Sequence, residues 1–222
     1  MALKHPFART VSGGGLLLII FVYAFFNPVS GIGWGNSKSA PSDFMNFVKL
    51  VENRNVDALS GVYISNVLAL PVVQQPIGND GFVSHNNGQV TQFALASQYG
   101  NIGLLAHNYL SGKSFSHIEV GQEVRLVYGD GTIKYFLVKE VLQYQAMEPN
   151  SPWSSFRHIE DNTILNAEQM FNRVYAGEHH VTFQTCIQAE GISTWGRLFV
   201  VAEPKNEFSA ADLFGDLFRA SN

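Results

Sequence analysis

The segment that most constrains the fold is Gln122-Glu123-Val124-Arg125-Leu126-Val127-Tyr128, followed by Gly129-Asp130-Gly131 and then by Thr132 to Leu142. Residues alternate in character on both sides of a tight glycine turn, and a period of two sends successive side chains to opposite faces of a strand. Such a pair is a β-hairpin. Other short runs repeat the theme. Leu70-Pro71-Val72-Val73-Gln74-Gln75-Pro76 is expected as an edge-type strand, with prolines where a missing N–H is tolerated. Strands are also expected from Gln92 to Tyr99 and from Asn101 to Ala106, separated by Gly100. The last two, His180 to Ile187 and Trp195 to Ala202, flank a loop over 188–194. With 17 Phe, 8 Tyr and 20 Gly, the composition favours strands joined by glycine-containing turns. The fold class is all-β.

Helices are few. Ser42 stands as N-cap to a short amphipathic helix reaching about Asn53, with Phe44, Phe47, Val48 and Val51 on one face. Asn166-Ala167-Glu168-Gln169 has the form of a capping box that starts a second helix, which Gly177 ends. Leu213, Phe214, Leu217 and Phe218 are spaced as one face of a third, a packing face near the C-terminus.

The 222 residues, 46% of them hydrophobic, suffice for one sizeable core. Leu16 to Phe26 stands apart from it as eleven consecutive apolar residues, preceded by Lys4 and Arg9 and ended by Asn27-Pro28. From Val11 to Pro28 the stretch would be roughly 27 Å long as a helix, at the short end for crossing a bilayer. An uncleaved anchor and a cleaved signal peptide both fit. As an anchor, it would hold Lys4 and Arg9 in the cytoplasm and put the domain outside a bacterial plasma membrane, in a single pass; cleaved, it would leave a secreted domain. The organisation expected is thus 1–28 anchor or signal peptide, 29–68 linker and short helix, 69–204 the folded domain, and 205–222 a tail.

Eighteen acidic and fourteen basic residues give a net charge of −4, with no basic stripe to neutralise phosphates. Nucleic acid is not an expected partner. Cys186 is the single cysteine. In an exported chain a lone thiol is an oxidation liability, so it is either buried and inert or retained for chemistry. His158, His179 and His180 lack a second cysteine or ligand spacing, so no metal and no other cofactor is expected there. His85 and His117 are assigned to loops, and Asp130 and Glu190 are assigned as solvated carboxylates.

Three pieces converge on Cys186. It lies near the end of the strand His180-Val181-Thr182-Phe183-Gln184-Thr185-Cys186, where Val181 and Phe183 can face the core while Thr182 and Gln184 face away. An antiparallel return strand from Trp195 would bring Arg197 beside the thiol. The strand ending at Ala106 would deliver His107 to the same end of a barrel.

These pieces resemble the sortase family over roughly Ala69 to Pro204. Thr182-Phe183-Gln184-Thr185-Cys186 is similar to the sortase Thr-Leu-x-Thr-Cys segment, with Phe183 in place of the common Leu. Arg197-Leu198-Phe199-Val200-Val201-Ala202 resembles its arginine strand, and Leu104-Leu105-Ala106-His107 the strand ending in its histidine, with Ala106 where many members have Gly. Gly121-Gln122-Glu123-Val124 and Leu70-Pro71-Val72 resemble two further strands. The resemblance implies an antiparallel β-barrel of about eight strands with short peripheral helices, so that 69–204 is a sortase-like catalytic domain. It also implies a cysteine transpeptidase in which Cys186 attacks, His107 carries protons and Arg197 supports oxyanion and substrate backbone. Its partners would be a peptide or protein sorting signal and a cell-surface amine; calcium dependence is left open. Asn108 and Thr185 adjoin the reacting residues and are candidates to orient them. The same three residues would serve a cysteine peptidase that gives the acyl group to water, and an inactive β-barrel binding module is the other alternative.

Overall fold

The computed structural model describes residues 44–205. The proposed anchor, most of the linker and the tail helix lie outside the described residues, as does Ser42. Among the described residues no helix is long and apolar enough to cross a membrane.

Ten strands form one sheet: β1 Leu59–Ile64, β2 Leu68–Gln74, β3 Val90–Phe93, β4 Ile102–Leu105, β5 Glu123–Tyr128, β6 Ile133–Ala146, β7 Phe156–His158, β8 Ile164–Leu165, β9 Val181–Ala189 and β10 Ile192–Pro204. Eight close on themselves in the order β10-β9-β4-β3-β2-β1-β5-β6, because β6 also pairs with β10. The expected barrel of about eight strands is therefore present, and closure leaves its ring without a free edge. Six of its pairings are antiparallel, and β2 with β3 and β4 with β9 are parallel. The parallel pairs follow from crossovers, which antiparallel hairpins do not need. β7 and β8 prolong the sheet from the far end of β6.

Two layers of apolar packing explain which strands alternate and which do not. Inside the barrel, Val62, Leu104, Phe115, Val124, Leu126, Val181, Phe183, Leu198 and Val200 form the main core. Outside it, α3 (Ala167–Tyr175) lays Met170, Phe171, Val174 and Tyr175 over Phe93, Leu105, Tyr144 and Phe199. The expected capping box is formed: the Asn166 side chain accepts from Gln169 N at 2.8 Å, and Gln169 Oε1 accepts from Asn166 N at 2.9 Å. Val181 and Phe183 face the core, whereas Thr182 and Gln184 face away but lie under α3. Thr182 Oγ1 donates to the Val174 carbonyl at 2.6 Å, and the Tyr175 hydroxyl donates to Gln184 Oε1 at 2.6 Å.

Three boundaries differ from the sequence expectation. The barrel begins at Leu59, inside the segment assigned to linker, because α1 (Phe44–Val51) covers the outer face of β1 and all six of its residues are buried. With both faces covered the strand has no alternation to read. Gly61 lets this happen, since a Cβ there would stand 2.9 Å from Phe47 and from Val51. β2 is interior to the barrel and not an edge; its ladder to β1 ends at Pro71 and its ladder to β3 starts at Val72, so the N–H that proline lacks is missing where one ladder gives way to the other. Gln92–Tyr99 is divided: after β3, Ala94–Gln98 form a short helix, α2, that buries Leu95 and Ala96. Ala, Leu and Gln favour that helix, and Gly100 at φ +79° turns the chain into β4.

Candidate active site

β9 and β10 are joined by the two-residue turn Glu190-Gly191, both at positive φ, rather than by a seven-residue loop. From Gly196 to Ala202 the two strands are in continuous antiparallel register, and Arg197 stands directly opposite Cys186. Residues directly opposite across a ladder have neighbouring side chains on one face. Between Ile192 and Gly196, four steps of β10 pass against two of β9, so Ser193, Thr194 and Trp195 bulge out of the ladder beside the pair.

On the other side of Cys186 runs β4, parallel to β9, with Leu105 opposite Gln184. Ala106 N donates to the Gln184 carbonyl at 3.2 Å, and Thr185 Oγ1 donates to the Ala106 carbonyl at 2.8 Å. Cys186 and Arg197 are thus paired across β9 and β10, and His107 follows the end of β4, the strand on the other side of β9. The His107 carbonyl accepts from Leu110 N and Gly112 N, both at 3.0 Å, and so turns the chain into the 3₁₀ helix Ser111–His117. A Cβ at Gly112 would collide with Thr185 Oγ1 and with the Ala106 and His107 carbonyls.

The three residues meet different surroundings. Cys186 is half-buried and in no disulfide. Arg197 is only 2% exposed; it donates through Nη1 to the carbonyls of Thr194 at 3.0 Å and Gly196 at 2.9 Å, and its guanidinium lies 6.0 Å from the centre of the Phe156 ring. The bulge therefore grips the arginine. His107 is 7% exposed, and its ring stacks on those of His85 at 4.7 Å and Tyr109 at 5.1 Å. Burial, and then the charge of His85, push its pKa down to about 4, against a smaller opposing effect of a hydrogen bond to the Val83 backbone. Its Nε2 has no hydrogen-bond partner among the described residues. Burial, and then the charge of Cys186, push the pKa of the Tyr109 hydroxyl up.

Both residues expected to orient the site tie its parts together. Thr185 joins β9 to the backbone just before His107, and Asn108 Nδ2 donates to the Ser193 carbonyl in the β10 bulge at 2.9 Å. The sequence alone does not single out His85 or Tyr109; His85 lies in the expected loop, and that loop folds over His107. Trp195 was read only as a strand start, and its Nε1 is a second buried polar atom with no partner among the described residues. His158, His179 and His180 are engaged separately: with Asp161 at 2.9 Å, with the Gly100 carbonyl at 2.6 Å, and with the Glu178 and Val174 carbonyls at 2.7 and 2.9 Å.

A cavity of ≈ 430 Å³ opens beside Cys186, floored by Ile187 and Leu198 and walled by Asn108, Gln143 and the 3₁₀ helix. Its exposed lining is more apolar than polar, as expected of a peptide site, and neither His107 nor Arg197 lines it.

No protein-family model matches the chain, and no curated protein matches it. Solved structures do. Sortase C-1 from Actinomyces oris is 15% identical, with 77% of this chain and 85% of that one covered, at a TM-score of 0.47. The sortase D5 transpeptidase of Clostridium perfringens is 14% identical, covering 74% and 91%, at 0.43. Sortase A of Listeria monocytogenes is 15% identical, covering 70% and 94%, at 0.41. At these identities the likeness assigns no residue a role. At these TM-scores the likeness is partial, and the closed eight-stranded barrel with short helices outside it rests on the strand pairings themselves.

Proposed function

We propose that the chain is a sortase-like cysteine transpeptidase, with His107, Cys186 and Arg197 as its catalytic residues. The observation that supports this reading is the opposition of Cys186 and Arg197 across β9 and β10, with His107 just past the end of β4, the neighbouring strand on the other side of β9. With its pKa near 4, His107 is neutral at pH 7 and so is a base in the resting site. As the Cys186 sulfur bonds to the substrate carbonyl carbon, the thiol proton passes to His107 Nε2. The C–N bond then breaks and the proton goes to the departing amine, leaving a thioester. An incoming amine gives its proton to Nε2 as its nitrogen attacks, and the sulfur leaves and is reprotonated. Arg197 supplies a permanent charge and a rigid fork of donors for the oxyanion and the substrate backbone. Each step is carried by a side chain, so the proposal includes no cofactor.

The substrate class proposed is an extended sorting-type peptide, and the acceptor a cell-surface amine. The apolar segment Leu16–Phe26, with Lys4 and Arg9 before it, supports placing the domain outside a plasma membrane. The test adds a peptide library to the protein with and without an amine acceptor and follows products by mass. Ligated peptide that appears only with the amine, and is lost in Cys186→Ala, is the expected result. Cleavage without ligation would make the chain a cysteine peptidase; no reaction with any peptide would leave a binding module.

A further inference from the structure

The cavity beside Cys186 is walled on one side by the 3₁₀ helix Ser111–His117, which presents Lys113, Ser116 and His117 to it. No aspartate or glutamate lines it, although the chain as a whole carries a net charge of −4. Neither Lys113 nor His117 takes part in an ion pair among the described residues. We propose that this cavity is a substrate subsite for a carboxylate-bearing group, with Lys113 as the residue that selects it and His117 and Gln188 as further hydrogen-bonding groups. The inference deepens the reading of Cys186 as an acyl carrier and rests on it for its kinetic consequence.

The helical wall is placed by packing against the strand that carries the thiol. Phe115 is fully buried and meets Phe183 of β9 edge-on at 5.2 Å. Gly112 lies so close to Thr185 Oγ1 and the His107 carbonyl that no side chain fits there. In a 3₁₀ helix residues three apart share a face. With Gly112 and Phe115 turned to β9, Lys113 and Ser116 stand together on the adjoining face. Ser116 Oγ donates to the Lys113 carbonyl at 2.9 Å and Ser114 Oγ to the Ser111 carbonyl at 2.7 Å, which closes the turns internally. The backbone of Lys113 is therefore fixed, while its exposed side chain keeps the three donors of a compact charge for a ligand at the rim.

The cavity runs along the nucleophile's own strand, since the consecutive residues Thr185, Cys186, Ile187 and Gln188 all line it. Arg197 and His107 do not, so the reacting carbonyl and the proton transfer are served from elsewhere, and Lys113 is left to read a neighbouring part of the substrate. An apolar floor, here Ile187 and Leu198, with few polar groups to fix orientation is the usual build of a binding pocket. The carboxylate can belong to an acidic residue of the donor peptide beside the cleaved bond, or to an acceptor whose amine is that of an amino acid or peptide.

The test has one arm without turnover and one with it. In the first, N-acetylglutamic acid α-amide or N-acetylglutamine α-amide, which differ only in the carboxylate, is titrated into the ¹⁵N-labelled full chain and followed by NMR. Saturable shifts confined to 113–117 and 186–188 are expected with the acid, and about tenfold weaker binding with the amide, the weight of one charge-assisted hydrogen bond. Lys113→Gln should remove that difference and Lys113→Glu should invert it. Equal binding of the two probes, or shifts spread evenly over other surface lysines and arginines, would overturn the proposal. In the second arm, ligation is compared for donor peptides carrying Glu or Gln at each position, and for triglycine against triglycinamide as acceptor. A preference for the acid in the donor pair assigns the carboxylate to the donor, and one in the acceptor pair assigns it to the acceptor; either should vanish in Lys113→Gln and invert in Lys113→Glu. Equal rates in both pairs, or a preference unmoved in Lys113→Glu, would overturn it. Absence of ligation with the first arm intact removes the transpeptidase reading and leaves the carboxylate site; ligation without acid preference or probe binding removes the site alone.

Discussion

The two flanks of Cys186 are made in different ways. On the Arg197 flank a continuous backbone ladder fixes the pair: the strands are joined by a two-residue turn, and opposition of Cys186 and Arg197 follows from register. On the His107 flank the strand stops at Leu105, and the histidine ring instead stacks on His85, from a loop some twenty residues earlier in the chain. A ladder gives a fixed separation with little freedom to tune, whereas a loop can adjust the ring's environment without disturbing the barrel. The arginine is a constant charge and needs only position. The histidine must change charge, and its surroundings decide at what cost.

Removing His107 breaks the tunable flank and should have the largest effect. His107→Ala is expected to lower the ligation rate about 10²–10⁴-fold, the usual weight of a positioned general acid–base, in a steady-state assay. A loss of only a few-fold would show that the loop-held flank is not catalytic. Arg197→Lys keeps the charge on the ladder flank but cannot reproduce the paired donation to the Thr194 and Gly196 carbonyls. It should lower kcat/KM about tenfold to a hundredfold, the cost of losing one or two charge-assisted hydrogen bonds. Thr185→Val cuts the bond that joins the two flanks, from Oγ1 to the Ala106 carbonyl, and leaves that carbonyl without the partner. The expected cost is about 1–3 kcal/mol in urea unfolding, with a fall in rate but no change in the acid limb.

The burial of the His107 ring also sets a pH dependence of stability. The folded pKa of His107, about 4, lies below its ordinary 6.5, so the unfolded chain binds more protons between these values. Its favourable neutral state is fully present above pH 6.5 and is lost as pH falls towards 4. Urea midpoints should therefore decline over that window in wild type and less steeply in His107→Gln; equal slopes would mean that the ring is not desolvated as described.

Legibility followed the same division. The β5–β6 hairpin alternates cleanly because it was read from a half-exposed face, and the α3 cap was readable because its residues are adjacent in sequence. The Cys186–Arg197 opposition needed only two neighbouring strands and a short connection. β1 escaped because α1 and the barrel core cover both of its faces, and α2 because a five-residue helix within a buried run carries no period of its own. His85 gave no local signal at all; it reaches His107 through the parallel β2–β3 crossover that no spacing announces, and Tyr109, though close in sequence, meets the ring only because of the turn after β4. Trp195 was concealed in the same way, since a bulge shifts its place relative to the ladder.

The central claim is that Cys186 is a nucleophile served from both flanks, and the intermediate tests it most directly. The protein is incubated with a peptide library without amine, quenched in acid and digested, and the acyl adduct is mapped by mass spectrometry. The account predicts a thioester on Cys186 in wild type, none in Cys186→Ala, and slower accumulation in both His107→Ala and Arg197→Lys. Peptide turnover that persists in Cys186→Ala, or an adduct that forms equally fast in the absence of either flank, would contradict it.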